Sequence, residues 1–553
     1  MKKSAYLLAA MTACTLLTGC GSDDNNNTDI ENRGGETAGT VKNVILMIGD
    51  GMGAQQVGLL EEYVRRAPNS HLNTTTTALQ KFADNGRMGL SLNAPVGDNP
   101  SLVVDSACSA TQLATGIGSI SEAVGLDDKG NKVETILEKA KALGKATGLV
   151  SDTRITHATP AAFASHQPHR SLETQIAEEL VESGNVDVLL SGGARNFLPS
   201  DIKTDETDRA AMAALDAPET VYKKSKRGDD RNVIIEAKNN HGYDLAFDKT
   251  QLAAVTGDKV LGLFANSGMA DGIAYSACKS NDSCEQPSLR EMTLKALEIL
   301  SKDEQGFFLM IEGGQIDWAG HVNDAGWMLH ELLKFDEAVD AVYEWVKDRN
   351  DTLVVVTADH ETGSFGFSYG RKDLPEAKTL VGDGMQGQDY KPNFNFGSIS
   401  ILDKLYEQTG TFYDMMDQVN IDWDFSSTTG AQWAAAINAH VHEDFHVTEE
   451  EAYPITLRED NEYFVAGHSY LSNEMFPAIS DFKEFYVYGD ELHANLIGRA
   501  LAADESVVWG TGTHTAAPVP VYAFGPEAVT EQFSTMQHHI ELGQKMIDAL
   551  IGE

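Results

Sequence analysis

The sequence predicts an α/β fold, a parallel sheet covered by helices on both faces, with one large insertion. Three observations carry this. Near-continuous apolar runs of strand length recur along the chain, each followed by small or polar residues and then a helical pattern. Runs without polar alternation suit strands buried on both sides. Between two such runs, Val133, Ile136, Leu137, Ala140 and Leu143 mark one face of a helix that stops at Gly144, which completes a βαβ unit. Over residues 365–505 the texture changes to dense aromatics (Phe394, Phe396, Tyr406, Trp423, Phe425, Trp433, Phe482, Phe485, Tyr486, Tyr488) with no chemical motif, the mark of an insertion.

The N-terminus reads as an address. Lys2 and Lys3 precede an apolar run from Ala5 to Leu17, too short to span a bilayer, so residues 1–19 are expected to be a secretory signal. Its exit, Leu17-Thr18-Gly19-Cys20, resembles the lipobox of bacterial lipoproteins, in which Cys20 would become the acylated first residue. Ordinary secretion with cleavage nearby is the alternative. Either way the chain is expected to be exported to the bacterial cell envelope, and in the lipobox reading it touches membrane only through the lipid at Cys20. Residues 20–41 are almost free of apolar side chains and are expected to form a flexible tether.

Composition narrows the class. Hydrophobic residues make up 42% of 553, enough for a sizeable core. Lys plus Arg number 42 against 83 Asp plus Glu, a net charge of −41, which opposes a nucleic acid as a stable partner. The short basic run Lys223, Lys224, Lys226 and Arg227 reads as a solvated loop. Cys278 and Cys284 stand six apart in a polar loop, where an exported chain is expected to form a local disulfide.

The expected strands end at chemistry, as open α/β sheets require. The apolar runs are 43–48, 147–151, 186–190, 307–311, 353–357 and 519–524. After the first comes Gly49-Asp50-Gly51, a carboxylate whose flanking glycines leave a metal room to approach. After the fourth comes Glu312, then Asp317 and His321, spaced four apart so that one helical turn aims both at a common point. After the fifth come Asp359 and His360, and near the C-terminus His514 sits on a loop of glycine and threonine. Singly, each has a plainer reading: a strand-end Asp is more often a helix cap, and a lone His a packed one. Together, His and carboxylate without cysteine suit catalytic zinc, and Glu312 with a threonine hydroxyl suits magnesium. Ser106, in Asp105-Ser106-Ala107-Cys108, stands where a helix should begin; it is either a nucleophile facing the helix N-terminus or, with Asp105, a cap. No Gly-x-Ser-x-Gly surrounds it, so a metal rather than a histidine base is the expected activator.

These stretches, together with residues 156–170, occur in the order of the alkaline phosphatase family, which the chain resembles over 42–364 and 505–553. The resemblance implies a three-layer αβα sandwich with a central, mostly parallel sheet, a homodimer, small phosphate monoesters as substrates, and two Zn2+ and one Mg2+ per subunit. It implies a catalytic domain in two parts, 42–364 and 506–553. The insertion 365–505 would serve as subunit interface or site cover. It places Ser106 as the residue that takes the phosphoryl group and Arg170 as the guanidinium holding two phosphate oxygens. One zinc would sit on Asp317, His321 and His514, the other on Asp50, Asp359 and His360 beside Ser106, and magnesium on Asp50, Thr159 and Glu312. His157 and Trp318 would surround these ligands. The enteric bacterial branch has Asp and Lys at these two positions; the animal enzymes share His157 but have His in place of Trp318. Cys108 does not build the Cys-x-Pro-x-Arg signature of sulfatases, which makes sulfate esters a poor fit. A related phosphodiesterase and a metal- or phosphate-sequestering binding protein are the rival readings.

Overall fold

The computed structural model describes residues 41–552. The expected signal, Cys20 and nearly all of the tether lie outside the described residues. Val41, placed in the tether by the sequence reading, is buried and donates its N–H to Ala549 O at 3.1 Å, so the folded body already includes it.

Ten strands form one sheet: β1 (Asn43–Gly49), β2 (Arg87–Leu92), β3 (Ala146–Arg154), β4 (Val188–Gly192), β5 (Asp244–Ala246), β6 (Val260–Leu263), β7 (Phe307–Gly313), β8 (Thr352–Thr357), β9 (Val519–Phe524) and β10 (Met536–His538). Their order is β10-β2-β9-β8-β1-β7-β3-β4-β6-β5. All pairings are parallel except those of β9, which runs against both neighbours. Alternate residues of β1 divide between two cores: Ile45 and Met47 join one, Val44, Leu46 and Ile48 the other. The architecture is therefore three layers, helix–sheet–helix, around a sheet buried on both faces.

The βαβ helix is shorter than its apolar face implied. It spans Ile136–Ala142, because Thr135 caps it in a capping box with Glu138. Val133 lies before the cap, and Leu143, the C-cap, is 47% exposed. The basic run is also not simply a solvated loop. Arg227 is buried and pairs with Glu178 at 2.5 Å and Asp229 at 2.6 Å. Cys278 and Cys284 are bonded, and Cys108 is buried.

Two short antiparallel pairings position the chain beyond β8. Glu361–Thr362 pairs with His514–Thr515, carrying the C-terminal loop to the strand ends. Gly366–Phe367 pairs with Val507–Val508, so the chain leaves for the aromatic insertion and returns at adjacent strands. Within it, Ile401, Phe412, Trp433 and Ile497 join the same core as Ile45. Asp324 ties this segment to the Ala325–Val346 helix: as its N-cap it accepts from Trp327 N (2.9 Å), Gln408 Nε2 (2.8 Å) and Phe412 N (3.0 Å). Among the described residues no helix is long and apolar enough to cross a membrane.

Candidate active site

Register sets the site. Ile48 lies opposite both Glu312 and Thr357, and Ser151 opposite Glu312, so the chains leaving β1, β3, β7 and β8 start from one level. Asp50 follows β1, Glu312 is the penultimate residue of β7, and Asp359 lies two residues past β8. All three carboxylates are fully buried. The Gln315–His321 helix begins just after β7 and brings Asp317 and His321 to the same place.

Each carboxylate is held by one oxygen while its other oxygen is left without a partner. Asp359 Oδ1 accepts from Gly51 N (3.1 Å) and His360 N (2.8 Å), Asp50 Oδ2 from Thr159 Oγ1 (3.5 Å), and Glu312 Oε2 from Ser151 and from Thr153 Oγ1 (3.2 Å). Asp359 Oδ2, Asp50 Oδ1 and Glu312 Oε1 are buried with no hydrogen-bond partner among the described residues. Such atoms are costly unless a cation meets them. Burial first, then mutual repulsion, pushes these groups up: Asp359 to about 7 and Glu312 to about 8 (where the Ser151 hydrogen bond opposes the rise), and Asp50 well above the usual carboxylate range.

The histidines have their tautomers set from behind. His321 Nδ1 meets Gly512 O and His514 Nδ1 meets Val104 O, each at 2.8 Å. A carbonyl only accepts, so both Nδ1 atoms carry hydrogen and both Nε2 atoms offer lone pairs. Those two Nε2 atoms lie 3.1 Å apart, with Asp317 carboxylate oxygens 3.3 Å from His321 and 3.6 Å from His514. Two lone pairs facing each other over a carboxylate require a positive charge between them. A proton can supply it: burial opposes charge on His321, but Asp317 raises it to about 9, while burial takes His514 down to about 4. A zinc-type cation fits the same donors. His360 repeats the pattern. Thr362 Oγ1 donates to Asp317 Oδ1 (2.5 Å) and lies 3.3 Å from His360 Nδ1, leaving His360 Nε2 3.2 Å from Asp359 Oδ2 and 3.6 Å from Asp50 Oδ1. Three sets lie within reach of one ion each: Asp317, His321 and His514; Asp50, Asp317 and His360; Asp50, His157 and Glu312.

Ser106 opens the Ser106–Thr115 helix and is 1% exposed, with Asp105 as N-cap accepting from Ala107 N and Cys108 N. Asp105 is the cap, which leaves the Ser106 side chain free to point elsewhere. Its Oγ lies 3.2 Å from His360 Nε2. Arg170 is half-buried, with Nη1 3.3 Å from Asp105 Oδ2 and Nη2 donating to His157 Nε2 at 3.2 Å. That contact leaves the His157 proton on Nδ1. Burial, then Arg154 and Arg170, keep its ring neutral. Trp318 meets His157 edge-on at 6.0 Å between centroids and the Arg154 guanidinium at 5.9 Å.

The expected catalytic and metal-ligating side chains lie in this cluster or at its rim, but the sets differ from expectation in placing Asp317 with Asp50 and His360, where Asp359 was expected, and His157 with Asp50 and Glu312. The sequence reading missed several supporting groups. Ser109 Oγ and His539 Nε2 both meet Asp359 O at 2.8 Å, Thr362 orients Asp317, and Asn495 Nδ2 donates to His321 O at 2.7 Å. Thr362 was visible, two residues past His360; nothing local marked His539 or Asn495.

A serine at a helix N-terminus, facing imidazole and carboxylate donors arranged for cations, defines the class of metal-dependent phosphohydrolases. Comparison with known proteins agrees. A family model described as alkaline phosphatase matches residues 41–452. The chain is 31% identical over 517 residues to alkaline phosphatase 3 of Bacillus subtilis (strain 168), covering 92% of this chain and 89% of that one. Its fold matches a cold-active alkaline phosphatase from the psychrophile Shewanella sp. (TM-score 0.62, 25% identity, 92% and 99% of the two chains). It also matches that of Thermus thermophilus alkaline phosphatase (TM-score 0.67, 23% identity, 94% and 95%). The chain belongs to the alkaline phosphatase family and is a phosphatase, an enzyme of phosphate monoester hydrolysis.

Proposed function

We propose that the protein hydrolyses small phosphate monoesters through a phosphoserine on Ser106, at a site for two zinc ions and one magnesium ion. The carrying observation is the convergence of unpartnered Asp50 Oδ1, Asp359 Oδ2 and Glu312 Oε1 beside Ser106 and His360. Asp317, His321 and His514 would hold one zinc, Asp50, Asp359 and His360 the other, and Asp50, Thr159 and Glu312 the magnesium. Bound there, the ions would supply Lewis-acid charge that lowers the pKa of the Ser106 hydroxyl and of an attacking water and stabilises the departing oxygen.

The residues of the chain do the rest. Ser106 Oγ forms the bond to phosphorus while the ester P–O bond breaks and the alcohol departs; water then displaces Ser106 and releases phosphate. Asp105 takes the Ala107 and Cys108 N–H groups, so the Ser106 backbone N–H is the helix-opening donor for the developing charge. Arg170, held by Asp105 and His157, presents its fork to two phosphoryl oxygens. His157, neutral and oriented by Arg170, stands within reach of the same ion as Asp50 and Glu312. Homodimer formation, a lipid anchor at Cys20 and the 42–364, 365–505, 506–553 division belong to the same reading, supported by the family's pattern and the lipobox.

Ser106→Ala tests it. Monoester turnover should fall by about three orders of magnitude or more, zinc content by elemental analysis should stay at the wild-type level, and acid-quenched labelled phosphate should no longer be trapped on the chain. Wild-type turnover in this variant would refute the covalent route.

A further inference from the structure

One stretch of the aromatic insertion is fastened to the His321–His514 end of the site. Thr511 Oγ1 and Gly512 N both donate to Phe485 O, at 2.9 and 3.3 Å. Asn495 Nδ2 donates to His321 O (2.7 Å) and to Asn323 Oδ1 (3.0 Å). Tyr486 is buried against Gly512, where a Cβ would come within 2.9 Å of its Cδ1. These ties frame Tyr488. Its ring meets the His321 imidazole edge-on, with centroids 5.0 Å apart and planes at 86°. Tyr470 meets Tyr488 the same way, at 5.1 Å and 86°, and is itself 49% exposed. A path of aromatic edges therefore runs from His321 through half-buried Tyr488 to exposed Tyr470.

Resting on the reading that Asp317, His321 and His514 serve the departing oxygen, we infer that Tyr488, backed by Tyr470, determines specificity by receiving the leaving group of the ester, and that the enzyme favours planar aromatic alcohols over aliphatic ones. In that step the bond from Ser106 Oγ to phosphorus forms, the phosphorus–aryloxy bond breaks, and the aryl oxide leaves and takes a proton from water. An aromatic leaving group can stack on or meet the Tyr488 ring in an edge-to-face contact, which a polyol chain cannot. A tyrosine already held by its neighbours makes that contact at little entropic cost.

The test compares kcat/KM for phenyl phosphate and glycerol 2-phosphate in the wild type and in Tyr488→Ala, Tyr488→Phe and Tyr470→Ala, with zinc content measured alongside. Titration calorimetry with phenylphosphonate and methylphosphonate reads binding without turnover. Tyr488→Ala should lower the phenyl-to-glycerol ratio about fivefold to tenfold and weaken phenylphosphonate by a similar factor, leaving methylphosphonate unchanged. Tyr488→Phe, which keeps the ring, should retain the ratio. Tyr470→Ala, at an exposed position that does not threaten folding, should lower it less, in the same direction. An unchanged ratio in Tyr488→Ala, or an equal loss in Tyr488→Phe, overturns the inference while the proposed function stands. A wild type that turns over neither ester overturns both.

Discussion

A single methyl group added at Gly51 should dismantle the metal centre, while the same methyl added seven residues later should strengthen the protein. Gly51 has a φ of +73°, and a Cβ there would stand 2.8 Å from Asp317 Cα and 2.9 Å from Thr362 Oγ1. The left-handed backbone alone costs an L residue about 1–2 kcal/mol. The clash adds to this, because Asp317 Cα belongs to the backbone of the buried Gln315–His321 helix and cannot swing aside as a side-chain end could. Gly51 N also positions Asp359, and Asp50 precedes it, so relieving the clash shifts three carboxylates of the site. Gly51→Ala should therefore cost about 2–4 kcal/mol in unfolding free energy, weaken metal binding about tenfold to a hundredfold, and lower kcat/KM by about a hundredfold or more. Gly58 supplies the control. It lies in the Ala54–Arg66 helix with no atom within 4 Å of its would-be Cβ. Gly58→Ala should add about 0.4–1 kcal/mol and leave turnover alone. Chemical denaturation, metal content after dialysis against a graded chelator, and 4-nitrophenyl phosphate kinetics read the three quantities. A Gly51→Ala protein with wild-type metal content and kcat/KM would refute the claim that backbone packing at this glycine fixes the ligands.

Two further outcomes concern buried carboxyl and imidazole groups. Burial raises Asp324 from 3.8 to about 7 despite its hydrogen bonds, so the folded state keeps a proton that the unfolded chain has lost across that window, and stability falls as pH rises from about 4 to about 7. Asp324→Asn cannot titrate there, so its stability relative to the wild type, both in chelator, should climb with pH over the window by at most about 4 kcal/mol; a flat difference would contradict the assignment. His157→Asp replaces a neutral imidazole beside Asp50 and Glu312 with a carboxylate, and magnesium retained after dialysis should increase. Equal retention in the two proteins would count against a third cation there.

The ligands were legible because chemistry sits at strand ends and register does the rest. Long apolar runs such as β1 and β7 announce themselves, and once they pair in parallel, Asp50 and Glu312 must meet. β2 was hidden for the opposite reason. Its apolar residues Met88, Leu90 and Leu92 are 49%, 37% and 41% exposed while Ser91 is buried, so its alternation points the wrong way for a strand reading. β5, at three residues, is too short to carry a pattern, and β9 reads as a strand without revealing that it runs antiparallel. The arrival of His514 depended on its pairing with Thr362, a contact between distant segments that no local spacing encodes. Tyr488 was visible only as one aromatic among many, for the same reason.

Charge counting then ties the proposed ion stoichiometry to the substrate. Ionised by bound cations, Asp50, Glu312, Asp317 and Asp359 would bring four negative charges into one buried cluster, inside a chain whose net charge is −41. Two dications would only neutralise them, and a phosphate dianion would then enter on the strength of Arg170 alone, against the field of the whole protein. A third dication would leave the cluster at about +2, which matches the dianion, and the charge of Arg170 is then left over for the Ser106 oxygen as it becomes nucleophilic. On the proposed stoichiometry, the third ion would serve substrate binding as well as ordering Glu312. Stripping it alone should raise KM for a dianionic ester more than for a singly charged one.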